Sequence, residues 1–405
     1  MGVGTAVGIE NRLVRLDVEN FRSLREVSVP LGPLAVMVGP NGAGKTNLLD
    51  VFRFLADTIH TDLMPALEQR DGFDQVLFCG GGEPASAMRI KLAATWTPSS
   101  NSDMPDEYDL RVWRRSNELY RRESFRYRLP ERGSQEITVS GEELTVATAD
   151  GEGIEPTEQK IGVSRFSSAL STLPRLSHNW GGEEVTTIAS NLSSFRAFEV
   201  HVDSARRPSR FPRGDTETLR DDASNLAAFL FTLSEQHADS WRQLVDDAAE
   251  VLPQLDDIEF DRPSGAAREV VVMLRERGLR RATQLADASY GTIRLLGLLA
   301  LLYDPHPPAL TCVEEIDHGL HPQALELLVA RLREASERTQ LMVATHSPAL
   351  ADQLAPHELI VCERDDDGSS VIPAASIEEI ERIVEASEGE PLGRLWFSGA
   401  LGGDL

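Results

Sequence analysis

Eight residues, GPNGAGKT (Gly39–Thr46), constrain the fold of this chain more than any other feature. They fit the Walker A pattern G-x-x-x-x-G-K-[ST], a turn whose glycines let successive backbone N–H groups face inward around phosphate oxygens. Such a turn needs a buried strand before it and a helix after it. Both are readable: Ala35–Val38 is an apolar run, and beyond Gly44 a helical pattern carries Leu48, Leu49, Phe52 and Leu55 on one side. In that setting Lys45 reaches the outer phosphates, the Thr46 hydroxyl ligates magnesium, and the helix points its positive end at the anion. The nucleotide-binding candidates are Gly39, Pro40, Asn41, Gly42, Ala43, Gly44, Lys45, Thr46 and Asn47. ATP and Mg2+ are the cofactors this cradle implies.

Three later segments add chemistry in an order that suits the cradle. ALTCVEEIDHGLHP ends an apolar strand with Glu314 and Glu315. A carboxylate at the end of a core strand beside the P-loop strand holds magnesium, usually through water, and the next orients or deprotonates the attacking water. Glu314 stands where this motif more often has Asp. In LMVATHSPALAD, His346 directly follows another buried strand and is the candidate sensor of the terminal phosphate. In ADASYGTIRLLGLLALLY, a polar turn opens a helix that is apolar almost all the way round. Ser289, Gly291 and that helix start make a second anion-binding surface.

The 405 residues suffice for two or three lobes, with strand-like and helical textures alternating at both ends. Residues 12–38 read as two paired strands and a buried strand. From Met88 the pattern alternates at period two, and EITVSGEELTVATADGEG reads as a hairpin. Residues 217–253 are helical, with a cap near Ser224, and α/β texture returns from Leu285. The expected organisation is an ATP-binding core in two parts, 1–87 and 281–375. Between them come a mostly antiparallel β insert, 88–216, and a helical lobe, 217–280; a C-terminal helix and tail, 376–405, complete the chain.

Composition narrows the partners. A net charge of −25 argues against a surface uniformly sticky to nucleic acid. Within it, residues 111–132 hold eight arginines (Arg111, Arg114, Arg115, Arg121, Arg122, Arg126, Arg128 and Arg132) against three acids, and Arg206, Arg207, Arg210 and Arg213 follow in ARRPSRFPR. These read either as phosphate contacts to DNA or RNA, or as a solvated strand face paired with the chain's abundant acids. Cys79, Cys312 and Cys362 are far apart without a C-x-x-C pair, so neither a disulfide framework nor a zinc site is expected. The first residues have no apolar core of a signal peptide, Ala6 breaks the myristoylation pattern, and no apolar run is long enough to span a membrane. A cytoplasmic location is expected.

Taken together, NFRSL (Asn20–Leu24), GPNGAGKT, DDASNLAAFLFTL, DASYGTIRLLGLLALL, VEEIDHGLHP and ATHSP resemble the ATP-binding-cassette superfamily, specifically its soluble RecF/SMC/OLD-like branch. They span most of the chain in family order. The resemblance implies an α/β fold, a P-loop NTPase of ABC-ATPase type with a RecF-like head. It implies that Lys45 and Thr46 contact phosphate and magnesium, that Glu314 takes the Walker B place, and that Glu315 is the catalytic base and His346 the switch histidine. Ser289 and Gly291 would act in trans, closing over ATP held by a second copy. Arg22 would sit near nucleotide, and Gln75 would be a metal-side glutamine. Tyr290 departs from the small or acidic residue usual in the signature turn, Ile316 stands where relatives often have proline, and the coiled-coil arm is missing. The 59 residues after His346 are too few for the nuclease domain of OLD members, so no nuclease activity is expected. The implied function is a slow ATPase that dimerises on ATP and serves a DNA transaction such as repair or anti-phage defence. The alternative is an ATP-gated scaffold controlling a separate effector protein.

Overall fold

The apolar runs of the sequence assemble into a five-stranded sheet, every pair parallel. Its order is Leu359–Val361, Leu34–Val38, Gln340–Thr345, Leu310–Val313 and Arg196–Phe198. The computed structural model describes residues 12–82, 84–116, 118–129, 133–149, 170, 182–210, 218–262 and 269–402. Parallel strands need cover on both faces, which is why these segments are apolar without alternation. Ala35, Met37, Cys312, Met342 and Ala344 join a core that includes the helix Lys45–Thr61. Val36, Val38, Val313, Leu341 and Val343 join a second core with the helices Leu226–Gln236, Tyr290–Leu302 and Pro322–Ala335. Every residue from Ile293 to Leu302 is buried, which accounts for a helix with almost no polar face.

Beyond the helix Lys45–Thr61 lies a seven-stranded antiparallel sheet. Its order is Leu24–Pro30, Leu13–Phe21, Ala87–Ala94, Asp106–Arg115, Glu118–Leu129, Gly133–Ser140 and Glu143–Ala149. Its inner face carries Leu16, Val18, Ile90, Leu92, Tyr108, Leu110, Phe125, Ile137 and Val139. The hairpin read from EITVSGEELTVATADGEG is the last strand pair, closed through Gly141 at φ +61.

Several particulars differ from the sequence reading. The strand preceding Glu314 does not lie beside the P-loop strand; Gln340–Thr345 runs between them. The alternating segment from residue 88 continues the N-terminal hairpin's own sheet through the pairing of Ala87–Ala94 with Leu13–Phe21. Arg196–Phe198, from the same segment, is an edge strand of the parallel sheet. The segment read as a helical lobe also holds the antiparallel strands Leu255–Asp261 and Glu269–Glu276. The cap position before Leu226 is Asn225 rather than Ser224. Its side chain binds the Arg220 N–H and the Thr218 carbonyl, tying down the incoming loop. No helix among the described residues is long and apolar enough to cross a membrane.

Candidate active site

Four of the five parallel strands deliver chemistry at their C-terminal ends, where ligands gather in open α/β sheets. Leu34–Val38 leads into the P-loop, Leu310–Val313 into Glu314 and Glu315, Gln340–Thr345 into His346, and Leu359–Val361 toward Arg364. These segments enclose a cleft of about 200 Å³ lined by Asn41, Gly42, Gly44, Lys45, Thr46, Asn47, Glu314, Glu315, Ala344, His346 and Arg364.

Gly44 starts the helix at φ +101, a conformation that side chains disfavour, and a Cβ there would collide with Ser370. Lys45 is 6% exposed and donates from Nζ to the carbonyls of Gly39 at 2.7 Å and Pro40 at 3.0 Å. Burial lowers its pKa, opposed by Cys362, Asp317 and Glu315. Asn47 donates to Ser23 Oγ at 2.7 Å, and Ser23 shares a 2.7 Å hydrogen bond with Ser370, bracing the turn from outside.

The Thr46 hydroxyl donates to Glu314 Oε2 at 3.2 Å, and Arg53 lies 3.7 Å from Glu314 Oε1. Burial raises the Glu314 pKa, and Arg53 and the Thr46 bond only partly offset it. A half-buried carboxylate beside a hydroxyl oxygen is a hard-donor pair that fits Mg2+, which takes few protein ligands and completes its shell with phosphate and water. Among the described residues no cluster of three or more His, Cys, Asp or Glu forms an all-protein metal cage.

His346 is held with Nδ1 3.4 Å from Lys45 Nζ. The ammonium can only donate, so Nδ1 accepts and Nε2 carries the hydrogen. Burial, then the Lys45 charge, lowers the His346 pKa against Asp317, Glu315 and a hydrogen bond to the Gly39 backbone, which favours the neutral ring. Glu315 has φ +48 and is exposed, and its carboxylate Oε2 accepts from His318 Nδ1 at 3.1 Å.

Of the other sequence candidates, Ser289 and Gly291 do not line this cleft. Ser289 caps the helix Tyr290–Leu302 by accepting from the Thr292 N–H at 3.1 Å, and it borders a separate cavity with Asp287, Ala288 and Thr292. Arg22 also lies outside the cleft; it pairs with Asp50 of the P-loop helix at 2.9 Å. Gln75 is exposed on the short helix Phe73–Val76 and does not line the cleft.

Three residues were missed. Arg364 lines the cleft and donates to the Gly42 carbonyl at 2.9 Å. Buried Arg294 donates to the carbonyls of Glu314 and Glu315 and so pins the backbone beneath both carboxylates. Arg53, two turns beyond Thr46 on the P-loop helix, faces Glu314. Arg294 had a signal, a lone cation inside an apolar helix; Arg364 and Arg53 had none, because exposed arginines are common.

The arginine-rich strands are not one uniform patch. Arg121 is fully buried 3.2 Å from Glu123, Arg114 pairs with Asp74 at 2.6 Å, and Arg126 pairs with Glu107 at 3.1 Å and Glu136 at 3.4 Å. Arg111 and Arg122 are exposed cross-strand partners, and no carboxylate among the described residues pairs with either. They line an open groove of about 410 Å³ on the outer sheet face together with Arg89, Lys91 and Arg126 and with the acids Glu107, Asp109 and Glu136; Arg89 pairs with Asp109 at 2.6 Å and Lys91 with Glu107 at 2.8 Å. Arg132 and Arg213 lie outside the described residues.

Two family models match the chain. Residues 169–352 match one described as "AAA domain, putative AbiEii toxin, Type IV TA system", and residues 12–104 match an AAA ATPase domain. Among curated proteins, the OLD nuclease of Thermus scotoductus is 49% identical over 55 residues, 14% of this chain and 10% of that protein. Structural maintenance of chromosomes protein 1 of Schizosaccharomyces pombe is 48% identical over 46 residues, 11% of this chain and 4% of that protein. The replication and repair protein RecF of Brucella abortus is 51% identical over 43 residues, 10% of this chain and 11% of that protein. The matches thus span only a small part of each relative's length. An Smc head bound to the C-winged helix domain of ScpA superposes with a TM-score of 0.55 at 13% identity, covering 91% of this chain and 99% of that one. An Smc head domain bound to a ScpA C-terminal domain, derived from Pyrococcus furiosus, gives 0.51 at 12% identity, covering 93% and 100%. These likenesses show the fold, which is that of an SMC head domain.

Proposed function

We propose that this chain is an AAA-family ATPase of the RecF/SMC/OLD-like branch that binds Mg2+–ATP between two copies of itself, hydrolyses it slowly, and couples that cycle to DNA; the family models over residues 12–104 and 169–352 support the reading. The observation that carries the reading is the meeting of Lys45, Thr46, Glu314, Glu315 and His346 at one cleft from three different strands.

In this reading the P-loop N–H groups and Lys45 hold the phosphates, with Lys45 moving its Nζ from the Gly39 and Pro40 carbonyls to phosphate oxygen. Thr46 and Glu314 would hold Mg2+, which when bound would supply positive charge against that developing on the phosphoryl oxygens. Glu315 takes a proton from the attacking water. His346 Nε2–H donates to the terminal phosphate, where a neutral ring adds a hydrogen bond without a competing proton. Ser289 and Gly291, which do not line the cleft of their own chain, close on the nucleotide of the other copy.

Arg111 and Arg122 support the DNA arm. Like charges directly opposite across a strand pair repel, and a phosphate between them removes the repulsion. Burial of Arg121 and pairing of Arg114 and Arg126 favour the second reading, an ATP-gated scaffold for an effector protein without nucleic acid.

The test is ATP turnover by purified protein across protein concentration, alone and with single- and double-stranded DNA. Specific activity rising with concentration and with DNA supports the first reading. A rate that responds to concentration but not to DNA, together with no salt-dependent DNA binding, supports the scaffold. Full turnover by dilute monomer would overturn the shared-site mechanism.

A further inference from the structure

His318 sits in the loop that follows the carboxylate pair, and its Nδ1 lies 3.1 Å from Glu315 Oε2. A carboxylate only accepts, so Nδ1 carries the hydrogen and donates it. The loop is tightly held. The His318 N–H donates to the Glu315 carbonyl at 3.0 Å, and Arg294 donates to that same carbonyl. The imidazole in turn packs on Tyr290, with ring centroids 5.7 Å apart and planes tilted 41°. Tyr290 is the residue that departs from the small or acidic type usual in the turn, and 45% of it is exposed. Two glycines make room for the contact. A Cβ on Gly319, at φ +72, would lie 2.9 Å from the Tyr290 ring, and one on Gly291 would lie 2.8 Å from the Gly319 carbonyl.

We propose that His318 is a positioning residue for Glu315, and that Tyr290 holds the imidazole that does the positioning. The inference rests on Glu315 being the base. A general base acts through one oxygen, and a third group that binds the other oxygen fixes its direction. With Oε2 taken by His318, Oε1 is the oxygen left for the water in the cleft. Among the described residues no other side chain binds the exposed Glu315 carboxylate, and a freely rotating carboxylate spends little time aimed at the reacting water.

Two replacements separate donor from ring. His318→Phe keeps an aromatic face for Tyr290 and removes the donor. His318→Asn keeps an N–H near Nδ1 and removes the ring. Steady-state ATP turnover of the full chain with Mg2+ is expected to show kcat lowered about tenfold in His318→Phe with KM unchanged, and kcat within about threefold of wild type in His318→Asn. Tyr290→Ala is expected to lower kcat less than His318→Phe does, and to add nothing when combined with it. Wild-type kcat in His318→Phe, or an equal fall in His318→Asn, overturns the positioning role; full additivity of Tyr290→Ala with His318→Phe overturns the part given to Tyr290. If wild type itself does not turn over, or Glu315→Gln turns over normally, the underlying ATPase or base assignment has failed. Normal wild type, inert Glu315→Gln and unaltered His318→Phe overturn this inference alone.

Discussion

Lys45→Ala separates the fold from the site in one experiment. In the nucleotide-free chain Nζ makes two hydrogen bonds, to Gly39 O at 2.7 Å and Pro40 O at 3.0 Å. A hydrogen bond to a charged group contributes roughly 1.5–3 kcal/mol when both partners are buried. Here the two carbonyls border the cleft, so water replaces the lost donor, and burial already disfavours the ammonium. The expected loss of fold stability is therefore only about 1 kcal/mol. With ATP the balance changes, because the phosphate oxygens lose two charge-assisted bonds that water replaces poorly beside a glycine cradle. Two such bonds amount to roughly 3–6 kcal/mol, or about a hundredfold to ten-thousandfold in Kd. Calorimetric titration with Mg2+–ATP measures the second number, and thermal unfolding with and without nucleotide measures the first. Wild type at a ligand concentration a hundred times its Kd gains about 2.7 kcal/mol, and the variant gains at most about 0.4 kcal/mol at that concentration. Equal Kd values in the two proteins would refute the cradle. A collapse of the nucleotide-free variant would refute the argument that water satisfies the two carbonyls.

Ser289→Arg should retain ATP binding, since Ser289 does not line the cleft of its own chain, while ATP-dependent dimer on a sizing column and turnover are both lost; loss of the Thr292 cap costs about 1 kcal/mol besides. Glu314→Gln bears on pH. Burial raises the folded pKa of Glu314, so its contribution to stability is full below the ordinary carboxylate pKa and is lost as pH rises through the folded value. Nucleotide-free Glu314→Gln should therefore match wild type in acid and melt higher than wild type above that window, with weaker Mg2+ dependence of ATP binding; an unchanged difference across pH refutes the burial argument. Reversing Arg111 and Arg122 to Glu should weaken DNA binding and reduce its log–log salt slope by about one unit per lost phosphate contact; an unchanged slope removes these two residues from the interface.

The P-loop was legible because its information is contiguous. A turn, the strand before it and the helix after it lie within residues 34–61, and local chemistry alone specifies them. The same holds for the polar turn at Ser289 that opens an apolar helix, and for the acids and histidine that directly follow apolar strands. Strand order was not legible. Glu314 was expected one strand from the P-loop and stands two away, because Gln340–Thr345, met later in the sequence, inserts between them. Parallel pairing depends on which faces the connecting helices cover, and that is settled between residues hundreds apart.

Charge was the least legible property. Eight arginines in one stretch looked alike, yet the pleat sends Arg121 into the core and Arg122 to the outer face; the helix Phe73–Val76 supplies an acid to Arg114, and neighbouring strands supply acids to Arg126 but not to Arg111. In the sequence His318 reads as an ordinary residue, because histidines near strand ends are common; its meaning comes from Tyr290, 28 positions earlier, brought to it by the fold. The sequence by itself determined the phosphate cradle, the apolar strands and the kinds of side chain at their ends, since each depends on neighbours along the chain. The tertiary structure decided which of those side chains share a cleft, which cations remain free and what holds Glu315, since each depends on contacts that no window of sequence contains.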